Sequence, residues 1–287
     1  SWALGWLSDG RITIQQILAI IFGGLVIIIV GFLDDKYDLR TKSFLGPFVG
    51  ATLAVALGVA IKYITNPFIA GTGPYGMSLL YFSPFIGPIF SFLWLLGMMY
   101  TTKFLDGLDG LVSGIGAIGA IILFIVSLFW DVAQSSTSIM CLILAGSCLG
   151  FLRFNWHPAR IFLGESGSVF IGFMLGVLSI ISGGKIATAL LIMGIPILDV
   201  LWVIFRRIFK EKKSPFSGDG KHLHFRLLDT GFSHRGAVLF LYFLTLVFGA
   251  SSLFLQSQNK VIALAVLGIV MIVLAAVLIK KCDQNSR

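Results

Sequence analysis

Nine stretches of the chain, at about 15–33, 44–62, 84–102, 111–130, 137–154, 166–182, 186–205, 237–256 and 260–280, are apolar over close to the length a helix needs to cross a bilayer. Inside lipid each backbone N–H and C=O must find its partner within the protein, and a helix does this along its own length. These runs therefore predict an all-α, polytopic transmembrane helical bundle of about nine spans. Charge supports the reading, since only 12% of the 287 residues are charged, against about 25% in soluble domains. A single integral membrane domain over residues 1–287 is expected. The segment 63–83 is punctuated by Pro67, Gly71, Gly73, Pro74 and Gly76 and reads as a loop. The last two runs hold no charge before Lys280 and read as packing elements. No internal repeat or inverted pair of broken helices supports a transporter.

Nine spans fix which loops share a side. The loops after spans one, three, five and seven, with the C-terminus, carry 17 of the 21 basic residues; Arg11, Lys62, Lys185 and Lys260 lie on the other side. The positive-inside rule makes the first side cytoplasmic. The net charge of +8 then sets topology and attracts anionic lipid, and nucleic acid is not an expected partner. Cys141 and Cys148 sit in one apolar run as packing residues, and no disulfide framework or zinc spacing is present. Asp34, Asp35, Asp38, Asp106, Asp109, Glu165 and all four histidines fall at the same cytoplasmic span ends. A solvated, topology-setting face accounts for lysines and arginines there, but not for acids so close to the membrane.

The densest stretch is Phe104-Leu-Asp-Gly-Leu-Asp-Gly-Leu111. Asp106 and Asp109, three apart, share a face if helical. Two acids aimed at one spot repel unless a proton or cation lies between them, and Mg²⁺ commonly bridges carboxylates to phosphates. Span one ends in Asp34-Asp35-Lys36, where Lys36 or Lys42 suits a phosphate. A helix C-terminus disfavours anions, which argues against a plain polar end stopping in water. Glu165-Ser166-Gly167-Ser168 precedes an apolar run, so its N–H groups suit an anion and Glu165 suits a cation. Ser166 or Ser168 as an ordinary N-cap is the plainer reading of those two. Phe162 either stacks on a base or anchors at the interface. Asp199 either pairs with a neighbouring basic group or supports the site from behind. In the loop 206–235, His222, His224 and Arg226 offer donors to phosphate and sugar oxygens; the alternative is a polybasic patch on anionic lipid.

The stretches GFLDDKYDLRTKSFLG, FLDGLDGLVSG, FNWHPARIFLGESGS, PILDVLWVIFRR and SPFSGDGKHLHFRLLDTGFSHR occur, in that order, across residues 31–235. In them the chain resembles the polyprenyl-phosphate N-acetylhexosamine-1-phosphate transferases, and looks closest to the bacterial enzymes that start teichoic acid, enterobacterial common antigen or O-antigen synthesis. The resemblance implies attack of a polyprenyl phosphate on a UDP-sugar, with UDP-N-acetylglucosamine the expected donor, release of UMP, and Mg²⁺ or Mn²⁺ on the diphosphate. It implies that Asp34 and Asp35 position or activate the lipid phosphate, that Asp106 and Asp109 line the nucleotide site, and that Glu165, with Asp106, holds the metal. Asn155 and Phe162 match uridine contacts, while His222, His224 and Arg226 match a histidine-rich loop near the sugar diphosphate. Lys103 stands where the family usually has Asn, Glu165 where it has Asp, and Phe225 where a second His is common; Lys103 is then expected at the diphosphate or paired with an acid. A bacterial cytoplasmic membrane location, a cytoplasmic active site, a homodimer, and about two further N-terminal spans in relatives complete the expectation. Transfer of phospho-N-acetylmuramoyl-pentapeptide is the alternative within the class, and a non-catalytic lipid-phosphate-binding protein is the alternative outside it.

Overall fold

A computed structural model describes residues 12–37, 43–70, 77–130, 136–182, 185–212, 222–255 and 257–285. Ten helices and one hairpin account for nearly all of them. The helices are α1 (Ile14–Tyr37), α2 (Leu45–Ala56), α3 (Ile86–Leu105), α4 (Leu111–Trp130), α5 (Ser136–Asn155), α6 (Gly164–Ile181), α7 (Ile186–Arg206), α8 (Leu223–Asp229), α9 (His234–Phe254) and α10 (Ser257–Asn285), with a π-helical turn, Arg207–Glu211, extending α7. Eight are long and apolar enough to cross a membrane. The chain is a polytopic helical membrane protein, as its apolar runs predict.

Two elements differ from the sequence expectation. The second run makes a 12-residue helix, about 18 Å long at 1.5 Å per residue, against a hydrocarbon core of about 30 Å. Gly58, with φ of +93°, stops it; the amides of Gly58 and Val59 turn back onto Val55 and Ala54. The chain continues without helix through the buried Val59 and Ile61, and the Ile61 N–H donates to Ser91 Oγ at 2.7 Å. An apolar run alone does not reveal this unwinding, because Val, Ala and Ile suit buried extended backbone as well as helix. The expected loop at 63–83 contains an antiparallel hairpin, β1 (Tyr63–Ala70) with β2 (Met77–Tyr81), pairing Tyr63 with Tyr81 and Asn66 with Ser78. Register breaks between Asn66 and Ala70, where Pro67, which has no N–H to give a ladder, is tolerated.

Helices α4 and α6 are the most enclosed spans and α10 the least. Leu111, Ile115, Leu123, Phe173, Leu175 and Leu178 fill the centre. Glycine sets how closely the helices approach. A Cβ on Gly172 of α6 would lie 2.6 Å from Met98 O on α3, and one on Gly31 of α1 would lie 2.5 Å from Ser166 Cα on α6. These contacts bring the C-terminal ends of α1 and α3 against the N-terminal end of α6, where the acids are.

Candidate active site

Asp34 and Asp35 lie in the last turn of α1, the end at which a helix dipole disfavours negative charge. Asp35 is offset by another helix. Its carboxylate accepts from Glu165 N at 3.0 Å and from Ser166 Oγ at 3.3 Å, with Ser166 N at a longer 3.5 Å. It thus caps α6, whose own N-cap residue, Leu163, supplies no side-chain bond. Gly164, with φ of +69°, leaves room for it: a Cβ there would meet Asp35 Oδ2 at 2.6 Å. The anion expected at this helix start is therefore Asp35 itself. Ser166 and Ser168 are not N-caps, since Ser166 donates to Asp35 and Ser168 donates to Gly164 O at 2.9 Å.

Asp106 and Asp109 occupy the short turn between α3 and α4. Asp109 accepts from His157 Nδ1 at 2.7 Å and from Ala159 N at 3.2 Å. Burial alone would raise its pKa, but the His157 bond, the Ala159 amide and the nearby His234 and His157 imidazoles bring it below the usual carboxylate value. His157 stacks on His234 with ring centroids 3.9 Å apart, and Arg235 Nε and Nη2 hold its carbonyl at 2.9 and 2.8 Å. Asp109, His157 and His234 each bring a ligand-type atom within 4.8 Å of the others. Asp106 lies in the same turn and is partly open to solvent. Burial, then the charges of Asp35 and Asp109, push its pKa up to about 7.

Asn155 is buried, 5% exposed. Its Oδ1 accepts from Gly110 N at 2.9 Å and Ser113 Oγ at 3.1 Å, and its Nδ2 donates to Ile161 O at 2.9 Å. It clamps the Asp106–Gly110 turn to the segment after α5. Glu165 Oε1 lies 2.6 Å from Lys103 Nζ, which also donates to Ser43 Oγ at 3.1 Å. Asp34 faces Glu165 within hydrogen-bond reach, and its Oδ1 is buried with no hydrogen-bond partner. The five acids thus gather at one end of the bundle: Asp34 within reach of Glu165, Asp35 on the Glu165 amide, and Asp35 and Asp109 near enough to Asp106 for their charges to raise its pKa.

The histidine segment packs against the same turn. His222 Nδ1 lies 2.9 Å from Asp199 Oδ2, and Leu223 N donates to Asp199 Oδ1 at 2.9 Å, so Asp199 both pairs with a basic group and fixes the start of α8. His224 is buried, its Nε2 without a hydrogen-bond partner. Desolvation lowers its pKa to about 4 despite the nearby Asp199, with His222 adding to the drop. It rests against Gly107, where any Cβ would strike its ring and that of Phe225. Arg226 is half-buried and lines an apolar groove of about 540 Å³ between α7 and α10 with Leu201, Trp202, Phe205, Met271 and Ile272. Lys36 is exposed, its Nζ over the Tyr37 ring at 5.1 Å. Phe162 is 75% exposed at the rim. Lys42, Asp38 and Lys221 lie outside the described residues. His157, His234, Arg235 and Ser43 join the site without a motif of their own in the sequence; for the two histidines the signal is their gathering with the acids on one side.

A family model described as Glycosyl transferase family 4 matches residues 17–183. A Bacillus subtilis (strain 168) protein described as a probable undecaprenyl-phosphate N-acetylglucosaminyl 1-phosphate transferase is 33% identical over 276 residues, 93% of this chain and 74% of the relative. A Mycobacterium leprae decaprenyl-phosphate N-acetylglucosaminephosphotransferase is 36% identical over 88% of this chain and 69% of its own length. A Prochlorococcus marinus phospho-N-acetylmuramoyl-pentapeptide-transferase is 32% identical over 74% of this chain and 61% of its own.

Proposed function

Because the chain belongs to glycosyl transferase family 4, we propose that it transfers N-acetylglucosamine 1-phosphate from UDP-N-acetylglucosamine to a polyprenyl phosphate, with release of UMP. The two relatives with the higher coverage are named for transfer of this sugar phosphate to such lipids. The observation that carries the reading is the meeting of Asp34, Asp35, Asp106, Asp109 and Glu165, drawn from three parts of the chain, at one end of a membrane bundle. The reaction forms a bond from a lipid phosphate oxygen to the β-phosphorus and breaks the diphosphate bridge, leaving UMP. Such transfer depends on in-line positioning and charge neutralisation more than on covalent help.

Carboxylate oxygens suit a hard divalent cation, and Asp34 Oδ1 is buried and unpartnered; the group of three drawn within 4.8 Å among the described residues is Asp109, His157 and His234. Asp106 and Glu165 would hold Mg²⁺ or Mn²⁺, which supplies positive charge to the diphosphate. The chain's own residues do the rest. Asp34 and Asp35, fixed on α6, orient the lipid phosphate beside the diphosphate. Asp109, held by His157, shapes the nucleotide side, with Phe162 free to stack at the rim and Lys36 free to meet phosphate. His222, on Asp199, and His224, against Gly107, support the turn that carries Asp106 and Asp109 beside the sugar diphosphate, while Arg226 lines the α7–α10 groove. The groove beside Arg226 suits a prenyl chain. The site belongs at the cytoplasmic leaflet of a bacterial cytoplasmic membrane, where the basic loops gather. Membranes containing the full chain, given polyprenyl phosphate, Mg²⁺ and radiolabelled UDP-N-acetylglucosamine, should form labelled lipid that disappears with Asp109→Asn. The absence of labelled lipid with this or any UDP-sugar, UDP-N-acetylmuramoyl-pentapeptide included, would overturn the proposal.

A further inference from the structure

Lys103 places a positive charge inside the acid cluster. Its Nζ lies 2.6 Å from Glu165 Oε1, and both side chains are shielded, 24% and 14% exposed. Ser43 Oγ accepts from the same ammonium at 3.1 Å. The lysine is fixed from its backbone: it stands in the last turn of α3, where the neighbouring Thr102 bonds back to Met98 and Met99 carbonyls and Gly172 of α6 packs against them. Glu165 is fixed equally, at the start of α6, its amide on Asp35. A divalent ion of Mg²⁺ size binds carboxylate oxygen at about 2.1 Å. On Glu165 Oε1 it would face the lysine's full positive charge across a short gap, where two like charges are mutually destabilising.

We propose that Lys103 sets the cation affinity of this site: its ammonium occupies the Glu165 oxygen a divalent ion would take, so that the substrate-free protein binds such an ion weakly. The cation then enters with the diphosphate rather than ahead of it, because an arriving diphosphate gives Lys103 another anion to pair with. This rests on the transferase reading for the diphosphate, but its central claim concerns the free protein.

Mn²⁺ binding to the purified full chain in lipid nanodiscs, without nucleotide, tests that claim by the loss of the free-ion paramagnetic resonance signal. Lys103→Met should tighten Mn²⁺ binding by about tenfold, and Lys103→Arg, which keeps the charge and the pairing, should leave it weak. The gain must act through Glu165, so it should vanish in Lys103→Met/Glu165→Gln. In the presence of Lys103, Glu165→Gln alone should change binding by less than about twofold. The proposal is overturned if Lys103→Met binds Mn²⁺ no more tightly, if the gain survives without Glu165, or if no variant binds the ion. If Lys103→Met does not fold, Glu165→Gln alone decides, a loss beyond about twofold overturning it. Labelled-lipid formation by the same wild-type preparation tests the transferase reading separately.

Discussion

Asn155 shows how a single side chain carries structure into the site. Its amide joins Gly110 N, Ser113 Oγ and Ile161 O across 40 or more residues on one side. Asn155→Ala would leave a buried amide and a carbonyl unsatisfied, at about 1–3 kcal/mol each; the melting temperature should fall and activity with it. Asn155→Asp keeps the acceptor but not the donor, and should recover part of the loss in the same melting experiment. His224 gives a pH signature. Its folded pKa, about 4, lies below the ordinary histidine value, so the unfolded chain takes up the proton first as pH falls. The stability due to a neutral His224 is complete above about pH 6.5 and is lost as pH falls toward about 4. Urea or thermal unfolding across this range should show that slope, and His224→Gln should flatten it. The residue types at these positions were legible in the sequence. Their partners were not, because Asp109–His157, Asp199–His222 and Lys103–Glu165 join residues that no periodicity or local spacing relates.

At the scale of elements, the contact of α1 with α6 delivers Asp34 and Asp35 to Glu165. Gly31→Ala would force Cβ into the Ser166 backbone, and overpacking of this kind costs about 1–3 kcal/mol. It should also pull Asp35 off the α6 amides, so labelled-lipid formation should drop by more than the loss of folded protein explains. Gly97→Ala, which meets nothing within 4 Å, is the matched control and should melt and turn over like wild type. Element existence was readable from apolar length: α3 to α7 fall within a few residues of their expected ends. What misled was local backbone chemistry, in the positive φ of Gly58 that cuts α2 short and in a hairpin disguised by Pro67 and its flanking glycines. The junction after α5 was half legible. Its polar residues stood out, but the role of Asp35 as a cap for a helix 130 residues away depends on packing alone.

For the whole molecule, the distribution of basic loops fixes which side of the membrane each exposed position faces. In a Cys282→Ser background, Phe162→Cys and Tyr81→Cys, both at exposed positions, should react with a membrane-impermeant maleimide from opposite sides of sealed right-side-out vesicles. Tyr81→Cys should label at once and Phe162→Cys only after permeabilisation; the native Cys141 and Cys148 are buried and should stay silent. That Asp34, Asp35, Asp106, Asp109 and Glu165 would share one face was legible in the count of spans, even though one span proved to be a short helix continued by unwound chain. The centre has a consequence of its own. Leu123, Phe173 and Leu175 are buried in the middle of the bundle, so among the described residues apolar side chains fill the space between the acid-bearing rim and the hairpin. A lipid given a charged head at that rim meets packed hydrocarbon toward the far side and open bilayer beside it, so sideways drift in its own leaflet is the easier course.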